Sequence, residues 1–255
     1  MTTLTQPSWA QPTSDLTGRT VLILGGGGGV GEGVTRTLLA SGATVVATGR
    51  DEQRLAEFAE RIDDPSLHVA TVDGLAPGLD ERASALAAEF GPFDAVVVSI
   101  ASWGAQGRKP LLALTDEEWG ALVEDNLTAV FRVYRAFTPT LAAGGLLLQL
   151  NGLSADIPFP GNGVVALTAA AGKSLTRTLA AELEETGLRV YEVILGVVRT
   201  RARQLAGVDN SQWIDGTEIG VHIGELLAGT SPLTPVVLHY FVDKATGPVA
   251  TPPQF

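Results

Sequence analysis

Short apolar segments alternate with longer amphipathic segments along almost the whole of this 255-residue chain. Each apolar segment has the length of one strand, and the amphipathic segments between them have helical periodicity. Strands that are apolar on both faces and alternate with helices are typical of a parallel sheet covered on both sides. We therefore expect one α/β, doubly wound domain with about seven strands, from TVLIL, TVVAT, LHVATVD, FDAVVVSI, GLLLQL, LRVYEVIL and VVLHYFV.

The segments between the strands predict six helices, and the ends of the longest are the clearest. Thr115 precedes three acidic residues, and a threonine followed by acids is a typical helix start. Before the first strand, residues 1–15 are polar and contain prolines, so we expect a flexible tail followed by one domain over residues 16–255. The predicted helices are 33–42, 52–62, 81–91, 115–142, 164–187 and 218–229.

Composition excludes several classes of function. A formal net charge of -11 argues against a nucleic-acid partner, and the absence of cysteine excludes disulfides and thiol chemistry. The chain's three histidines, His68, His222 and His239, lie far apart in sequence and are more typical of packing or surface residues than of metal ligands. No apolar run reaches the roughly 18 residues of a membrane span. We therefore expect a cytoplasmic protein with no metal, nucleic-acid or membrane partner.

The first strand runs directly into the glycine-rich segment GGGGGVGEG, residues 25–33. Glycines at this point allow a tight turn, let phosphates approach the backbone and let the helix pack closely on the strand. The N–H groups at the start of the helix can then bind a pyrophosphate. Since a strand precedes the run and a helix follows it, the segment predicts a Rossmann-type dinucleotide site. The candidate residues are Gly25, Gly27, Gly28, Gly29, Val30 and Gly31.

Arg50 follows the second predicted strand, and Gly49 occupies the position where an acid would bind the ribose 2′-hydroxyl. An arginine at this point accommodates a 2′-phosphate. The pair favours NADP(H) over NAD(H), although Arg50 could instead pair with Asp51 or Glu52 at the surface.

From about residue 17 onward the chain resembles the short-chain dehydrogenase/reductase family. The family's TGxxxGxG turn matches LGGGGGVG with Leu24 in place of threonine, and its strand-closing aspartate matches Asp73. Its asparagine matches Asn126 in EDNLTAVF. The loop after the sixth strand keeps two matching residues of the family pattern, although Leu195 replaces its proline. The resemblance implies that the cofactor also contacts Asp73, Ser99, Gly196, Val198 and Thr200.

The resemblance also locates the family's catalytic serine, tyrosine and lysine, and other residues stand at those positions. The equivalent residues are Gly152, Val165 and Ala169, so Asn126 is the one catalytic position that matches. Lys173 lies one helical turn beyond the lysine position. Tyr134, Tyr191 and Tyr240 all lie away from the motif in the sequence.

The segments around these positions are mostly apolar, which predicts a hydrophobic small-molecule substrate. A few polar residues are interspersed among aromatic and aliphatic ones, and each is a candidate contact. The candidate substrate residues are Trp103, Asn151, Leu153, Ser154, Phe159, Val165 and Trp213.

Three interpretations follow. The first is an atypical NADP(H)-dependent oxidoreductase acting on an imine or an activated alkene rather than a simple ketone. The second is a non-redox enzyme of the same fold, namely a cyclase, lyase or isomerase. The third is a catalytically inactive, cofactor-binding partner subunit. In each case the resemblance implies a homodimer or homotetramer that associates through the two long helices, near residues 115–138 and 164–185.

Overall fold

A computed structural model describes residues 6–11 and 14–254 of the chain. Its main sheet has seven strands in the order β3-β2-β1-β4-β5-β6-β9, and every adjacent pair is parallel. The predicted doubly wound parallel sheet is therefore confirmed. The strands are β1 Thr20–Leu24, β2 Thr44–Gly49, β3 Leu67–Thr71, β4 Phe93–Val98, β5 Leu141–Gly152, β6 Arg189–Leu195, β7 Val198–Arg199, β8 Ile214–Asp215 and β9 Leu238–Phe241.

Helices cover both faces of the sheet, and each face buries its own apolar cluster. One cluster packs the sheet against α1 and α8 and is centred on Val34, Leu38 and Ile223. The other packs it against α3 and α5, with Leu86 and Val133 at its centre. The helices are α1 Gly31–Ala40, α2 Glu52–Ile62, α3 Leu79–Phe90, α4 Asp116–Val123, α5 Ala129–Phe137, α6 Gly163–Glu182, α7 Arg201–Leu205 and α8 Gly216–Ala228.

The predicted helix over 115–142 is wrong in its last part. α4 and α5 are joined by one π-helical turn over Glu124–Thr128, and α5 ends at Phe137 before a 3₁₀ turn that contains Pro139. Thr138 still has helical dihedral angles, but Pro139 has no N–H to donate to the carbonyl four residues before it, so the α-helical hydrogen-bond pattern ends there. The chain enters β5 at Leu141, four residues earlier than the predicted strand.

The sequence also missed a small parallel pair, β7 with β8, and the short helix α7 between them. The pairing of β7 with β8 joins the loop after β6 to the segment that leads into α8. Within the described ranges, each helix is too short or too polar to cross a bilayer.

The N-terminal segment, expected to be a flexible tail, contacts the domain over residues 6–11. Trp9 packs edge-on against Phe241 with ring centroids 5.3 Å apart. The backbone N–H of Gln11 donates to Glu225 Oε1 at 2.6 Å. Residues 1–5 and 12–13 of the expected tail lie outside the described residues.

Candidate active site

The turn between β1 and α1 is packed so closely that two of its glycines have no room for a side chain. Gly25 has a φ of +83°, and a Cβ added there would lie 2.3 Å from the carbonyl oxygen of Ser99. A Cβ on Gly31 would lie 2.2 Å from the carbonyl oxygen of Gly25. Both obstacles are backbone atoms, which cannot rotate away. This turn therefore requires glycine for geometric reasons alone.

The top of the turn is open and suits an anion. Gly28 and Gly29 are exposed, and α1 begins at Gly31 without a side-chain cap on its first turn. The first N–H groups of a helix have no partner within the helix and bind phosphate well. A Cβ on Gly29 would lie 3.1 Å from Thr200 Cγ2, so the loop after β6 meets the glycine turn. Gly27 and Val30 belong to the same turn, and the binding of a dinucleotide pyrophosphate by these residues stays a prediction.

Arg50 lies at the rim of this region, immediately after β2. Its side chain is 69% exposed, and its Nη1 atom lies 4.0 Å from Asp125 Oδ1. At that distance the contact with Asp125 is an ion pair without a close hydrogen bond. The neighbouring Asp51 instead caps α2 by accepting from the N–H of Arg54. Most of the guanidinium of Arg50 thus remains available to a ligand.

Other predicted cofactor residues lie at the carboxyl ends of the strands. Asp73 follows β3 by two residues, is exposed, and accepts from the N–H of Leu75 at 2.9 Å. Ser99 follows β4, and its N–H donates to the carbonyl oxygen of Leu24 at 2.8 Å. These positions surround the same edge of the sheet, where doubly wound folds bind ligands.

The loop after β6 is fixed by its backbone. The N–H of Gly196 donates to the carbonyl oxygen of Phe241 at 2.8 Å, and a Cβ there would lie 2.6 Å from the carbonyl oxygen of Val242. Val198 is buried. Thr200 caps α7 by accepting from the N–H of Arg203.

Asn126 lies in the π-helical turn and holds a neighbouring loop. Its Nδ2 donates to the carbonyl oxygens of Ser102 and Leu122, both at 3.0 Å. Its Oδ1 accepts from the N–H of Ser102 at 2.8 Å. Since both amide protons are used within the protein, the side chain acts here by positioning the Ser102 loop. Its catalytic role stays a prediction.

Asn151 joins the end of β5 to α6. Its Nδ2 donates to the carbonyl oxygen of Ala169 at 2.8 Å and to Glu192 Oε1 at 2.7 Å. Its Oδ1 accepts from the N–H of Gly152 at 2.8 Å. Gly152, Val165 and Ala169 are all half-buried around this junction. Asn151, predicted as a substrate contact, is therefore engaged in holding the strand and the helix together.

Glu192 is a functional candidate that the sequence analysis missed. It is fully buried in β6, and its Oε2 atom has no hydrogen-bond partner among the described residues. Burial raises the pKa of this carboxyl above its ordinary value, although the hydrogen bond from Asn151 opposes the rise. The available signal was an acid in the middle of the segment LRVYEVIL, between the apolar residues Val190 and Val193.

A second missed group joins Lys173 of α6 to Tyr240 of β9. Lys173 Nζ donates to the hydroxyl of Tyr240 at 2.9 Å and also to Asp156. Burial works to lower the pKa of Lys173, but the hydrogen bonds to Asp156 and Tyr240 outweigh it and raise the pKa. A tyrosine and a lysine thus meet here, although 67 positions separate them in sequence.

The hydroxyls of the other two tyrosines form hydrogen bonds at other places in the protein. The hydroxyl of Tyr134 donates to Gln149 Oε1 at 2.8 Å, and burial raises its pKa well above the ordinary value. The hydroxyl of Tyr191 donates to the carbonyl oxygen of Thr234 at 2.8 Å. Both hydroxyls therefore donate to acceptors within the protein.

A cavity of about 500 Å³ lies between the loop before α4 and the loop before α6. Phe159 lines it, and the Trp103 ring lies 5.9 Å from the Phe159 ring, while the contact of both with a substrate stays a prediction. Trp213 lies instead beside β8, where its ring stacks under Arg203. Leu153, Ser154 and Val165 stay at the junction of β5 and α6. The cavity lining is Arg108, Lys109, Pro110, Leu111, Pro158, Phe159, Pro160, Gly161 and Gly163.

Comparison with known families decides the classification, because residues 19–210 match the short chain dehydrogenase family. The chain belongs to that family. The match covers β1 to α7 and so includes the glycine turn, the junction at Asn151 and α6.

Relatives of this short chain dehydrogenase support the same conclusion. It is 29% identical to an oxidoreductase of Staphylococcus epidermidis over 71% of this chain and 79% of that protein. It is 27% identical to an NADP-dependent 3-hydroxy acid dehydrogenase of Escherichia coli strain K12, over 70% and 72% respectively. A solved short chain dehydrogenase/reductase family protein superposes with a TM-score of 0.73 at 29% identity, covering 91% of this chain and 98% of the other. This chain is an oxidoreductase of the same family.

Proposed function

We propose that this short chain dehydrogenase is an atypical NADP(H)-dependent reductase of a hydrophobic imine or activated alkene. The observation that carries the proposal is the junction of β5 and α6, where Gly152, Val165 and Ala169 bring no ionisable side chain. When bound, the reduced nicotinamide supplies a hydride with its electron pair to the acceptor carbon and is oxidised, while water supplies the balancing proton.

The proposed substrate class rests on the lack of an ionisable side chain at these three positions. A positioned general acid contributes about 10²–10⁴-fold to a rate, so a simple ketone reduced without one loses that factor. An iminium carbon is already electron-poor, and a conjugated alkene spreads the negative charge that the hydride brings. Both classes therefore depend less on a protein acid. The apolar cavity beside Phe159 is suited to the hydrocarbon part of such a molecule.

The preference for NADP(H) rests on Arg50. Its exposed guanidinium stands where a dinucleotide fold accommodates the 2′-phosphate, and Gly49 leaves no acid to bind a 2′-hydroxyl. The relative in Escherichia coli that is named NADP-dependent supports the same preference.

Nucleotide titration tests this preference. Purified protein titrated with NADPH and NADH, followed by tryptophan quenching, is expected to bind NADPH at least tenfold more tightly. Arg50→Ala should weaken NADPH binding about tenfold to a hundredfold, because a charge-assisted hydrogen bond contributes about 1.5–3 kcal/mol. Arg54→Ala is the matched control, since Arg54 is 85% exposed on α2 and pairs with Asp51. Equal affinities for both nucleotides would refute the preference.

Turnover of three six-membered-ring probes separates the alternatives. With NADPH in excess, 2-cyclohexenone or the cyclic imine 2,3,4,5-tetrahydropyridine is expected to be reduced, and cyclohexanone at most about a hundredth as fast. Fast reduction of cyclohexanone alone would overturn the proposed substrate class. Failure to bind either nucleotide would overturn the proposed redox function in favour of a non-redox enzyme.

We also propose that the protein assembles through the two long helical segments. Trp119, Phe131 and Leu167 are 40%, 48% and 44% exposed on α4, α5 and α6. Large apolar side chains exposed near one another are typical of an interface. Phe131→Glu is expected to lower the mass measured by light scattering after size exclusion, while Gln53→Glu on α2 should not. A monomeric native protein would refute the assembly.

A further inference from the structure

Gly152 ends β5 in an ordinary extended conformation, and a neighbouring side chain fills part of the space beside it. Its φ is -98° and its ψ is 151°, values that any residue adopts. A Cβ added to Gly152 would lie 3.3 Å from the hydroxyl oxygen of Ser154. The hydroxyl of Ser154 therefore lies next to the place where a serine side chain at position 152 would project.

The hydroxyl of Ser154 has no hydrogen-bond partner in the part of the chain that the structure describes. Ser154 lies half-buried in the 3₁₀ turn Leu153–Ala155, and its hydroxyl forms no hydrogen bond with any described residue. The turn itself is held firmly on both sides. The side chain of Asn151 fixes the N–H of Gly152 before it, and Asp156 after it donates its N–H to the carbonyl oxygen of Leu153 and binds Lys173. A hydroxyl with no hydrogen-bond partner among the described residues thus lies on a turn whose two ends are held by hydrogen bonds.

The same turn leads directly into the wall of the cavity. Pro158, Phe159 and Pro160 follow Ser154 by four to six residues and line the cavity. The chain thus passes from the Ser154 turn to the cavity wall within four residues.

We propose that Ser154 Oγ donates a hydrogen bond to the carbonyl oxygen of a conjugated substrate. This assignment rests on the proposed function and selects the activated alkene, in the form of an α,β-unsaturated carbonyl compound, over the imine. As hydride adds to the β-carbon, the π electrons move toward the oxygen, which gains negative charge and is stabilised by the Ser154 hydroxyl. Ser154 keeps its proton, and water protonates the α-carbon of the resulting enolate.

The nearby charges favour a neutral acceptor over a cationic imine. Arg108 lines the cavity, and its guanidinium donates to the carbonyl oxygen of Pro160 at 3.0 Å without an ion pair to any described acid. Asp156, the acid of the Ser154 turn, is already neutralised by Lys173. An iminium cation would therefore meet an unpaired positive charge, whereas a developing enolate is attracted to it.

Infrared spectroscopy of a bound carbonyl tests the assignment without turnover. The probe is 2-cyclohexenone labelled with ¹³C at the carbonyl, bound to the protein with NADP⁺. A hydrogen bond from Ser154 should lower the carbonyl stretching frequency relative to the Ser154→Ala protein. The Ser174→Ala protein serves as control, because Ser174 is exposed on α6. A frequency that is identical with and without Ser154 would overturn the assignment.

Returning the hydroxyl to the neighbouring position gives a second test. Ser154→Ala should lower kcat for 2-cyclohexenone by about 10²-fold, as does removal of one oxyanion donor in other enzymes, with little change in KM. Adding Gly152→Ser to that variant should restore much of the loss, since the two hydroxyl positions are adjacent. An unchanged kcat in the Ser154→Ala protein would refute the role.

The two proposals fail in different ways. If the native protein shows the Ser154-dependent frequency shift but reduces neither 2-cyclohexenone nor the cyclic imine, the proposed function is wrong and the hydrogen bond from Ser154 stands. If the native protein reduces it and Ser154→Ala does so equally well, the assignment to Ser154 is wrong and the proposed function stands.

Discussion

The glycine turn between β1 and α1 and the junction of β5 with α6 lie at the same edge of the sheet but are held by different kinds of contact. In the glycine turn, backbone atoms pack against backbone atoms, as at Gly25 and Gly31. At the junction, side chains make the contacts, with Asn151 bonded to Ala169 and Glu192. Packing of backbone against backbone leaves room for glycine alone at these positions. Packing between side chains permits many residue types, so the chemistry of the junction can change while the strand and the helix stay in place.

The largest loss of stability is expected for a substitution at Gly25. Gly25→Ala introduces a Cβ against the backbone oxygen of Ser99 and forces a left-handed conformation on a residue that resists it. Overpacking costs about 1–3 kcal/mol and the conformation about 1–2 kcal/mol more, so a loss of roughly 3 kcal/mol in the free energy of unfolding is expected. NADPH binding should be lost as well.

Gly120→Ala in α4 is the control for this prediction. A Cβ at Gly120 meets nothing within 4 Å, and alanine favours a helix interior over glycine by about 1 kcal/mol. Urea unfolding should therefore show opposite signs for the two variants. Equal stability of native protein and Gly25→Ala would break the contrast between the two regions.

A carboxylate beside Glu192 tests the side-chain packing of the junction. Asn151→Asp removes the donor to Glu192 and leaves two acids in a buried space, which should cost about 2–3 kcal/mol near neutral pH. The cost should shrink as the pH falls below neutral, because burial raises the pKa of Glu192 and a proton on either carboxyl restores one hydrogen bond. Asn210→Asp on the exposed loop after α7 is the control. A deficit that did not change with pH would contradict this explanation.

These two regions also explain what the sequence predicted well and what it did not. The glycine turn could be predicted because its requirement is local: a strand, a tight turn and a helix follow one another without interruption. The bond between Asn151 and Glu192 joins residues 41 positions apart, and the bond between Lys173 and Tyr240 joins residues 67 apart. Such pairs depend on strand order and register, which periodicity does not contain. Ser154 was a candidate from the sequence, but its place beside Gly152 required the fold.

A buried histidine pair lies away from both regions and adds its own pH dependence to the stability of the protein. The stabilities of variants at the two regions are therefore best compared at a pH where this pair does not titrate. His239 Nε2 lies 2.8 Å from the carbonyl oxygen of Val236 and so carries the proton. Its Nδ1 then accepts from His222 Nε2 at 2.9 Å. Burial, followed by the neighbouring His239, lowers the pKa of His222 well below its ordinary value, and burial also lowers that of His239.

The sign of the effect follows from proton counting. Below about pH 6.5 the two histidines become protonated in the unfolded chain but stay neutral in the folded protein. The free energy of unfolding therefore falls as the pH decreases, by up to about 1.4 kcal/mol per pH unit for each histidine. Above that pH the pair contributes no slope. His222→Gln keeps a donor toward His239 and should reduce the slope between about pH 5 and 6.5 in urea unfolding. A slope unchanged by this variant would assign the pH dependence to other groups.

The smallest effect on stability is expected for a substitution at Gly152. This substitution tests the contrast between the two regions most directly. Like Gly25, Gly152 is a glycine at the carboxyl end of the sheet, but its backbone is extended, and its nearest obstacle is the rotatable hydroxyl of Ser154. Gly152→Ala should change the free energy of unfolding by no more than about 0.5 kcal/mol, as at positions without strain. It should also leave NADPH binding unchanged. If Gly152→Ala proved as damaging as Gly25→Ala, glycine would be a backbone requirement at both regions. The absence of a side chain at position 152 would then be imposed by the fold rather than by the chemistry of the site.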